Sequence, residues 1–192
     1  MIVGMSRWEP NARGRLERAA LELYLDRGFE QTTVAEIAGR AGVTERTFFR
    51  HFTDKREVLF SGASDLQGLL VAAVTDAPAG ATPLEAVTAA LDAAAAMFEE
   101  RREGSRRRQA VINANPELQE RELSKLAGLA SAMAEALRRR GVADLPASLV
   151  AEAAVAVFKI AFEHWIDPAA RKDFSQLIRD SFDELRTVTS GR

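Results

Sequence analysis

Apolar side chains recur at helical spacing along almost the whole chain. The first clear stripe is Val34, Ile37, Ala38 and Ala41, at positions i, i+3, i+4 and i+7 of one short helix. No strand-type alternation of apolar and polar residues occurs anywhere. The pattern predicts an all-α protein of about nine helices. Longer stripes or capped starts indicate the other helices, over residues 16–27, 59–73, 82–98, 116–140, 145–166 and 169–187.

Residues 33–52 predict two short helices joined by a tight turn, which is the sequence pattern of a helix-turn-helix. Thr33 and Glu36 have the spacing of a capping box and mark the start of the first helix. Gly42 lies where the chain must turn sharply, and Thr44 can cap the second helix.

The second helix of this motif has an inner and an outer face. Val43, Phe48 and Phe52 can point back into a small core. In a helix-turn-helix, the outer face of the second helix enters the major groove of DNA. The residues left on or near that outer face are Thr44, Glu45, Arg46, Thr47, Phe49, Arg50 and His51.

The segments on either side extend the motif. A helical stripe over residues 16–24 ends at Gly28-Phe29, and Thr53-Asp54-Lys55 opens the next helix. Over residues 12–60, these motifs and their spacing closely resemble the DNA-binding domain of the TetR family of bacterial transcriptional regulators. Beyond residue 60 the resemblance is one of length and helical character.

This resemblance implies a three-helix DNA-binding domain, assigned to residues 1–56, and a larger helical ligand-binding and dimerisation domain over 57–192. It also implies a homodimer that binds double-stranded DNA at a pseudo-palindromic operator. A small hydrophobic or amphipathic effector would release this repressor from DNA.

Individual DNA contacts follow from side-chain chemistry. Arg46 and Arg50 lie one helical turn apart and suit base edges or phosphates. Thr44 and Thr47 suit phosphate or base contacts through their hydroxyls, and Thr33 caps a helix N-terminus that could face a phosphate.

Three further candidates come from the family resemblance and from position. Lys55 matches a position that grips the DNA backbone in TetR-type regulators. Phe49 departs from the family, where tyrosine is usual. Its ring lacks the hydroxyl that reaches a phosphate and can offer only stacking or packing on a thymine methyl group. His51 is interpreted as a groove-edge contact or a helix-end residue.

The net charge supports a DNA-binding function only in the region of the helix-turn-helix. The whole chain has a formal charge of −2. Between residues 40 and 56, five Arg or Lys residues face two acidic residues, a local net charge of +3. The run 101–108 is interleaved with glutamates, so a charged outer surface is favoured there over an anion site.

Other functional classes find little support. The chain has no cysteine, a very short apolar N-terminus and no run of eighteen uncharged apolar residues, so we expect a cytoplasmic protein that does not cross a membrane. No nucleophile–base motif, phosphate loop or metal-spaced histidine set is visible, so we expect no enzyme, no cofactor and no metal. His164 and Asp167 could share a helix face, but a solvated or interfacial histidine is favoured.

The C-terminal half offers two sets of candidates, each of which could instead be plain intrachain core. The ligand-pocket candidates are Met97, Phe98, Leu129, Met133, Phe158, Phe162 and Trp165. The dimer-interface candidates on the last two helices are Leu149, Ala153, Val157, Ile160, Phe174, Ile178 and Phe182.

Two alternative functions stay open from the sequence. One is a DNA-binding regulator that takes no ligand, which a sensor domain without a cavity would favour. The other is a helical protein-interaction module with a vestigial helix-turn-helix, which would lack salt-dependent affinity for DNA.

Overall fold

The computed structural model describes residues 11–191, and within that range the chain forms nine α-helices, two short 3-10 turns and no strand. The predicted all-α class and helix number are confirmed. The 3-10 turns cover Glu57–Phe60 and Glu99–Arg101. The helices are α1 Ala12–Arg27, α2 Val34–Arg40, α3 Glu45–His51, α4 Ala63–Asp76, α5 Pro83–Ala96, α6 Arg102–Asn113, α7 Pro116–Arg139, α8 Asp144–Ile166 and α9 Phe174–Thr189.

The chain divides into two compact units after Ser61. The first contains α1 to α3 and the turn at 57–60, and α2 and α3 begin where the sequence places caps. Thr33 and Glu36 form a full capping box, in which the Glu36 amide donates to Thr33 Oγ1 (3.2 Å) and the Thr33 amide donates to Glu36 Oε2 (2.9 Å). Gly42 turns the chain with a φ of +68°, and Thr44 caps α3.

The core of the first unit is built around aromatic side chains. Phe29 and Phe48 are fully buried, and Phe52 is nearly so. Leu16, Leu23 and Ile37 fill the space between them. Because both Phe48 and Phe52 point inward from the end of α3, the opposite face of that short helix must face outward.

The second unit packs α4 to α9 around one apolar core. Buried alanines on α5 and α8 allow the helices to approach closely, and Trp165, Phe174 and Phe182 are the largest fully buried side chains of this unit. The guanidinium of Arg140 closes the end of α4. It donates to the carbonyl oxygens of Thr75 (3.2 Å), Ala77 (2.6 Å) and Pro78 (2.8 Å).

Three boundaries differ from the sequence expectation. Thr53-Asp54-Lys55 does not open an α-helix: a 3-10 turn, Glu57–Phe60, follows it, and α4 begins at Ala63. The chain breaks at 97–101, so α5 ends at Ala96 and α6 begins at Arg102. The last helix begins at Phe174 because Asp173 accepts a hydrogen bond from the Gln176 amide (2.7 Å) and so caps the helix start.

Two segments are long and apolar enough to cross a membrane by length and composition, 57–76 and α8. Core helices of soluble proteins meet the same criterion. In α8 that composition coincides with seven buried side chains in the core of the second unit.

Candidate nucleic-acid interface

The outer face of α3 carries two free cations. Arg46 and Arg50 are exposed and lie one turn apart, while Phe48 on the opposite side is fully buried. Within residues 11–191, neither arginine forms an ion pair or a side-chain hydrogen bond. Phe49 is exposed beside them. This face can therefore meet an anionic, grooved partner without breaking any existing contact.

The positive charge of this region is more concentrated than the sequence suggests. Arg40 pairs with Glu22 (3.4 Å), and Arg56 pairs with Asp54 (3.0 Å). Of the five cations between residues 40 and 56, these two are matched by carboxylates. Arg46 and Arg50 carry the charge that remains on α3.

Two of the threonines predicted to contact DNA, Thr33 and Thr44, are helix caps, and the third, Thr47, lies within α3. Thr44 Oγ1 accepts from the Thr47 amide (3.2 Å), and the two hydroxyls lie 3.1 Å apart. Thr33 Oγ1 donates to Glu36 Oε2 (2.9 Å). Hydrogen bonds from the backbone and hydroxyl of Thr33 lower the pKa of Glu36, so this box is charged at neutral pH. Glu45 is exposed at the start of α3.

The ammonium group of Lys55 does not face outward, as expected of a residue that contacts the DNA backbone. Its ammonium donates to the carbonyl oxygens of Phe29 (2.9 Å), Glu30 (3.2 Å) and Thr32 (3.1 Å). It also lies 4.3 Å from the centre of the Phe29 ring. All three N–H donors are thus used inside the protein, and Lys55 holds the turn between α1 and α2.

A buried tyrosine supports this lysine, and sequence patterning missed it. The hydroxyl of Tyr24 donates to the Lys55 carbonyl (2.6 Å), and burial raises the pKa of Tyr24 above its ordinary value. The helical stripe marked Tyr24 as core but gave no indication of a partner 31 residues away.

His51 is also placed differently from the expected groove-edge contact. His51 is half-buried, and its Nε2 atom is buried without a hydrogen-bond partner among the described residues. The helix-end interpretation therefore fits better, because a buried ring nitrogen cannot reach a DNA backbone without rearrangement.

In the second unit, four of the ligand-pocket candidates come together in an aromatic cluster. We define this cluster as Phe98, Phe158, Phe162, Trp165 and Phe174. Its ring centres lie 5.1–6.3 Å apart in the contacting pairs, and Phe98 touches each of the other four. The packing is mostly edge-to-face, so the rings fill the space between the end of α5 and helices α8 and α9.

The other three pocket candidates lie in the same core as the aromatic cluster or next to it in the sequence. Leu129 and Met133 are buried in the same apolar core, and Met97 is half-buried beside Phe98 in sequence. A cavity of about 130 Å³ lies elsewhere, between α7 and α8, and its lining includes Ser131, Arg138 and Glu152.

The dimer-interface candidates separate into two groups. Val157, Phe174, Ile178 and Phe182 are buried in the core of the second unit, so their prediction as interface residues is corrected. Their apolar spacing reflects packing within the chain. Leu149 is 61% exposed and Ile160 49% exposed, and Ala153 is half-buried. These three remain available to a partner.

The arginine-rich stretch before and within α6 is tied to neighbouring elements. Arg102 donates to the carbonyls of Asp167 (2.7 Å) and Ala170 (3.1 Å) and lies over the Trp165 ring. Glu99 accepts from the Phe174 amide at the start of α9 (3.1 Å). No group of three metal-ligating side chains occurs among the described residues, and His164 is exposed.

Comparison with known proteins agrees with both units. Residues 17–61 match the sequence model of the bacterial regulatory proteins of the tetR family, and residues 81–190 match that of the MftR C-terminal domain. The chain belongs to the TetR family. It is therefore a DNA-binding transcriptional regulator of the helix-turn-helix type, a family whose members are regulators and not enzymes.

Two relatives show how the likeness is distributed along this TetR-family chain. The regulator MftR of Mycobacterium tuberculosis is 31% identical over 77% of this chain and 76% of its own length. TcmR of Streptomyces glaucescens is 46% identical, but the match spans only 42% of this chain and 36% of TcmR.

Solved structures share the fold. The SmeT–triclosan complex aligns with a TM-score of 0.66 at 20% identity, over 92% of this chain and 90% of SmeT. Thermus thermophilus FadR, a repressor in complex with lauroyl-CoA, aligns with a TM-score of 0.54 at 25% identity, over 90% and 92% of the two chains.

Proposed function

We propose that this regulator is a homodimeric repressor that binds a pseudo-palindromic operator and is released by a hydrophobic or amphipathic effector. The observation that carries the proposal is the pair Arg46 and Arg50, which have no ion-pair partner among the described residues and lie on the outer face of α3. Both helices of the motif, α2 and α3, have a threonine N-cap. Two copies of α3, about 34–36 Å apart, would enter successive major grooves on one side of the operator.

The exposed face of α8 supports the dimer. Leu145, Leu149, Ala156 and Ile160 lie within an arc of about 60° around the helix axis and face away from the buried side chains of α8. An exposed apolar face of this kind favours a partner. On α9, Val188 is exposed and Leu177 and Leu185 are half-buried, which suits an isologous four-helix arrangement of two copies.

The aromatic cluster supports an apolar effector. Phe98 lies at the break between α5 and α6 and contacts rings from both α8 and α9. A ligand that parts these rings would shift all three elements together. The lauroyl-CoA of FadR and the triclosan of SmeT suggest the chemical class to test first.

Release from the operator then follows from the different affinities of the effector for two conformers of the dimer. An effector that binds a conformer with the wrong spacing of the two α3 helices lowers the population able to bind the operator. Coupling of this kind typically amounts to about 1–3 kcal/mol.

A regulator without a ligand is the second candidate, because the rings of the aromatic cluster already pack directly against each other. In this alternative the second unit serves dimerisation only.

The test is fluorescence-anisotropy titration of genomic fragments that flank the regulator's own gene, across a salt series and against scrambled competitor. Specific binding with a steep negative salt slope, lost on adding lauroyl-CoA or triclosan, supports the full proposal. Specific binding that no apolar compound weakens favours the second candidate. Failure to select any specific fragment from the whole genome refutes both.

A further inference from the structure

Phe49 stands out on the face of α3 that carries the free arginines. Its side chain is 56% exposed, although it is one of the large apolar residues of the first unit. It follows Arg46 by three positions and precedes Arg50, so all three share the outer part of the helix. An aromatic ring here is available to whatever that surface binds.

The Phe49 ring has an aromatic neighbour. Phe49 and Phe48 pack edge-to-face, with ring centres 5.4 Å apart and planes inclined by 82°. Phe48 itself is fully buried and packs on Phe52. One side of the Phe49 ring therefore contacts a buried neighbour, and the rest of the ring stays exposed.

The chemistry of the ring narrows its partner. Phenylalanine has no hydrogen-bonding atom, so Phe49 adds nothing to phosphate binding. Stacking would require the ring to enter between base pairs, whereas a helix in the major groove meets base edges. The apolar group on those edges is the C5 methyl of thymine.

We propose that Phe49 is a specificity-determining residue that reads the C5 methyl group of one thymine in each operator half-site. This inference rests on the proposed entry of α3 into the major groove. It goes beyond that proposal because it names the base and the atom group recognised. Since the contact is apolar, it contributes base preference without contributing to the salt dependence of binding.

The test replaces each thymine of a selected operator by deoxyuridine, which removes the methyl group and keeps base pairing. Burial of one such carbon is worth about a fourfold change in Kd. We expect one symmetry-related pair of thymines to give a loss of about fourfold when one is replaced and about fifteenfold when both are replaced.

Variants link that loss to the ring. In Phe49→Ala the operator binds more weakly, but the deoxyuridine penalty at this pair disappears, as a double-mutant cycle requires for a direct contact. Phe49→Leu keeps most of the penalty because an apolar branched side chain can still pack on a methyl group. Leu25→Ala, which trims another exposed apolar residue of the same unit, leaves the penalty at the wild-type value.

The salt slope gives an independent readout. Phe49→Ala keeps the wild-type slope of log Kd against log salt, because no ion pair is lost. Equal deoxyuridine penalties in wild type and Phe49→Ala at every thymine would overturn the inference while leaving the regulator proposal intact. Absence of any specific wild-type complex would refute that proposal, and this inference with it.

Discussion

Replacement of Lys55 by methionine separates a structural role from a DNA-binding role. Methionine keeps much of the side-chain volume and removes the ammonium that donates to the carbonyls of Phe29, Glu30 and Thr32. Each hydrogen bond from a charged donor is worth about 1.5–3 kcal/mol. Glu30 is exposed, so water can replace part of this set. The carbonyls of Phe29 and Thr32 are only partly buried, so water can also replace part of their hydrogen bonding. We therefore expect a loss equal to about one such bond, about 1.5–3 kcal/mol, in the local stability of the α1–α2 turn.

Hydrogen exchange of the amides in α2 measures that local stability directly. The second readout is the salt dependence of operator binding. Each lost phosphate contact lowers the magnitude of the slope of log K against log salt by about 0.9, or about 1.8 for two half-sites. We expect faster exchange in α2 and an unchanged slope for Lys55→Met.

The matched control is Arg50→Ala, which removes an exposed cation and should leave exchange in α2 unchanged. A slope smaller by about 1.8 with wild-type exchange in α2 for Lys55→Met would refute our reasoning. Lys55 would then contact the DNA backbone and only rest on the three carbonyls in the absence of DNA.

Four further outcomes are expected. Arg50→Ala weakens operator binding by about 1–3 kcal/mol per half-site in anisotropy titrations and leaves the dimer intact in light scattering. Leu149→Glu gives a monomer by light scattering, whereas Leu123→Glu, at a comparably exposed leucine on α7, stays dimeric. Phe98→Ala lowers the free energy of unfolding in urea by about 3 kcal/mol, because the hub of the aromatic cluster is lost. Glu85→Gln reduces the loss of stability on acidification. Hydrogen bonds from the capping Thr82 lower the pKa of Glu85 in the folded state. The stabilisation by the Glu85 carboxylate is therefore present above the ordinary pKa of 4.5 and is lost as pH falls through the lower, folded-state pKa.

Local signals predicted the local parts of the structure well. Thr33, Glu36 and Thr44 cap the helices as expected, since a cap depends on residues only three positions apart. The inward direction of Phe48 followed from helical spacing in the same way.

Roles that depend on distant residues could not be predicted. Lys55 finds its carbonyl partners 23–26 residues earlier in the chain, and no periodicity reports such a contact. Apolar spacing likewise identified Phe174 and Ile178 as residues that need burial without telling which surface buries them. Both are enclosed by their own chain, while Leu149 with the same type of spacing is not.

The contact of Arg140 with the carbonyls of Thr75, Ala77 and Pro78 ties the C-terminal end of α4 to the end of α7. The fourteen residues of α4 span about 21 Å, and Leu66 is buried in the first turn. Both ends of α4 are therefore held within the second unit. Any tilt of this helix has to disturb the packing of Leu66 or break these three hydrogen bonds.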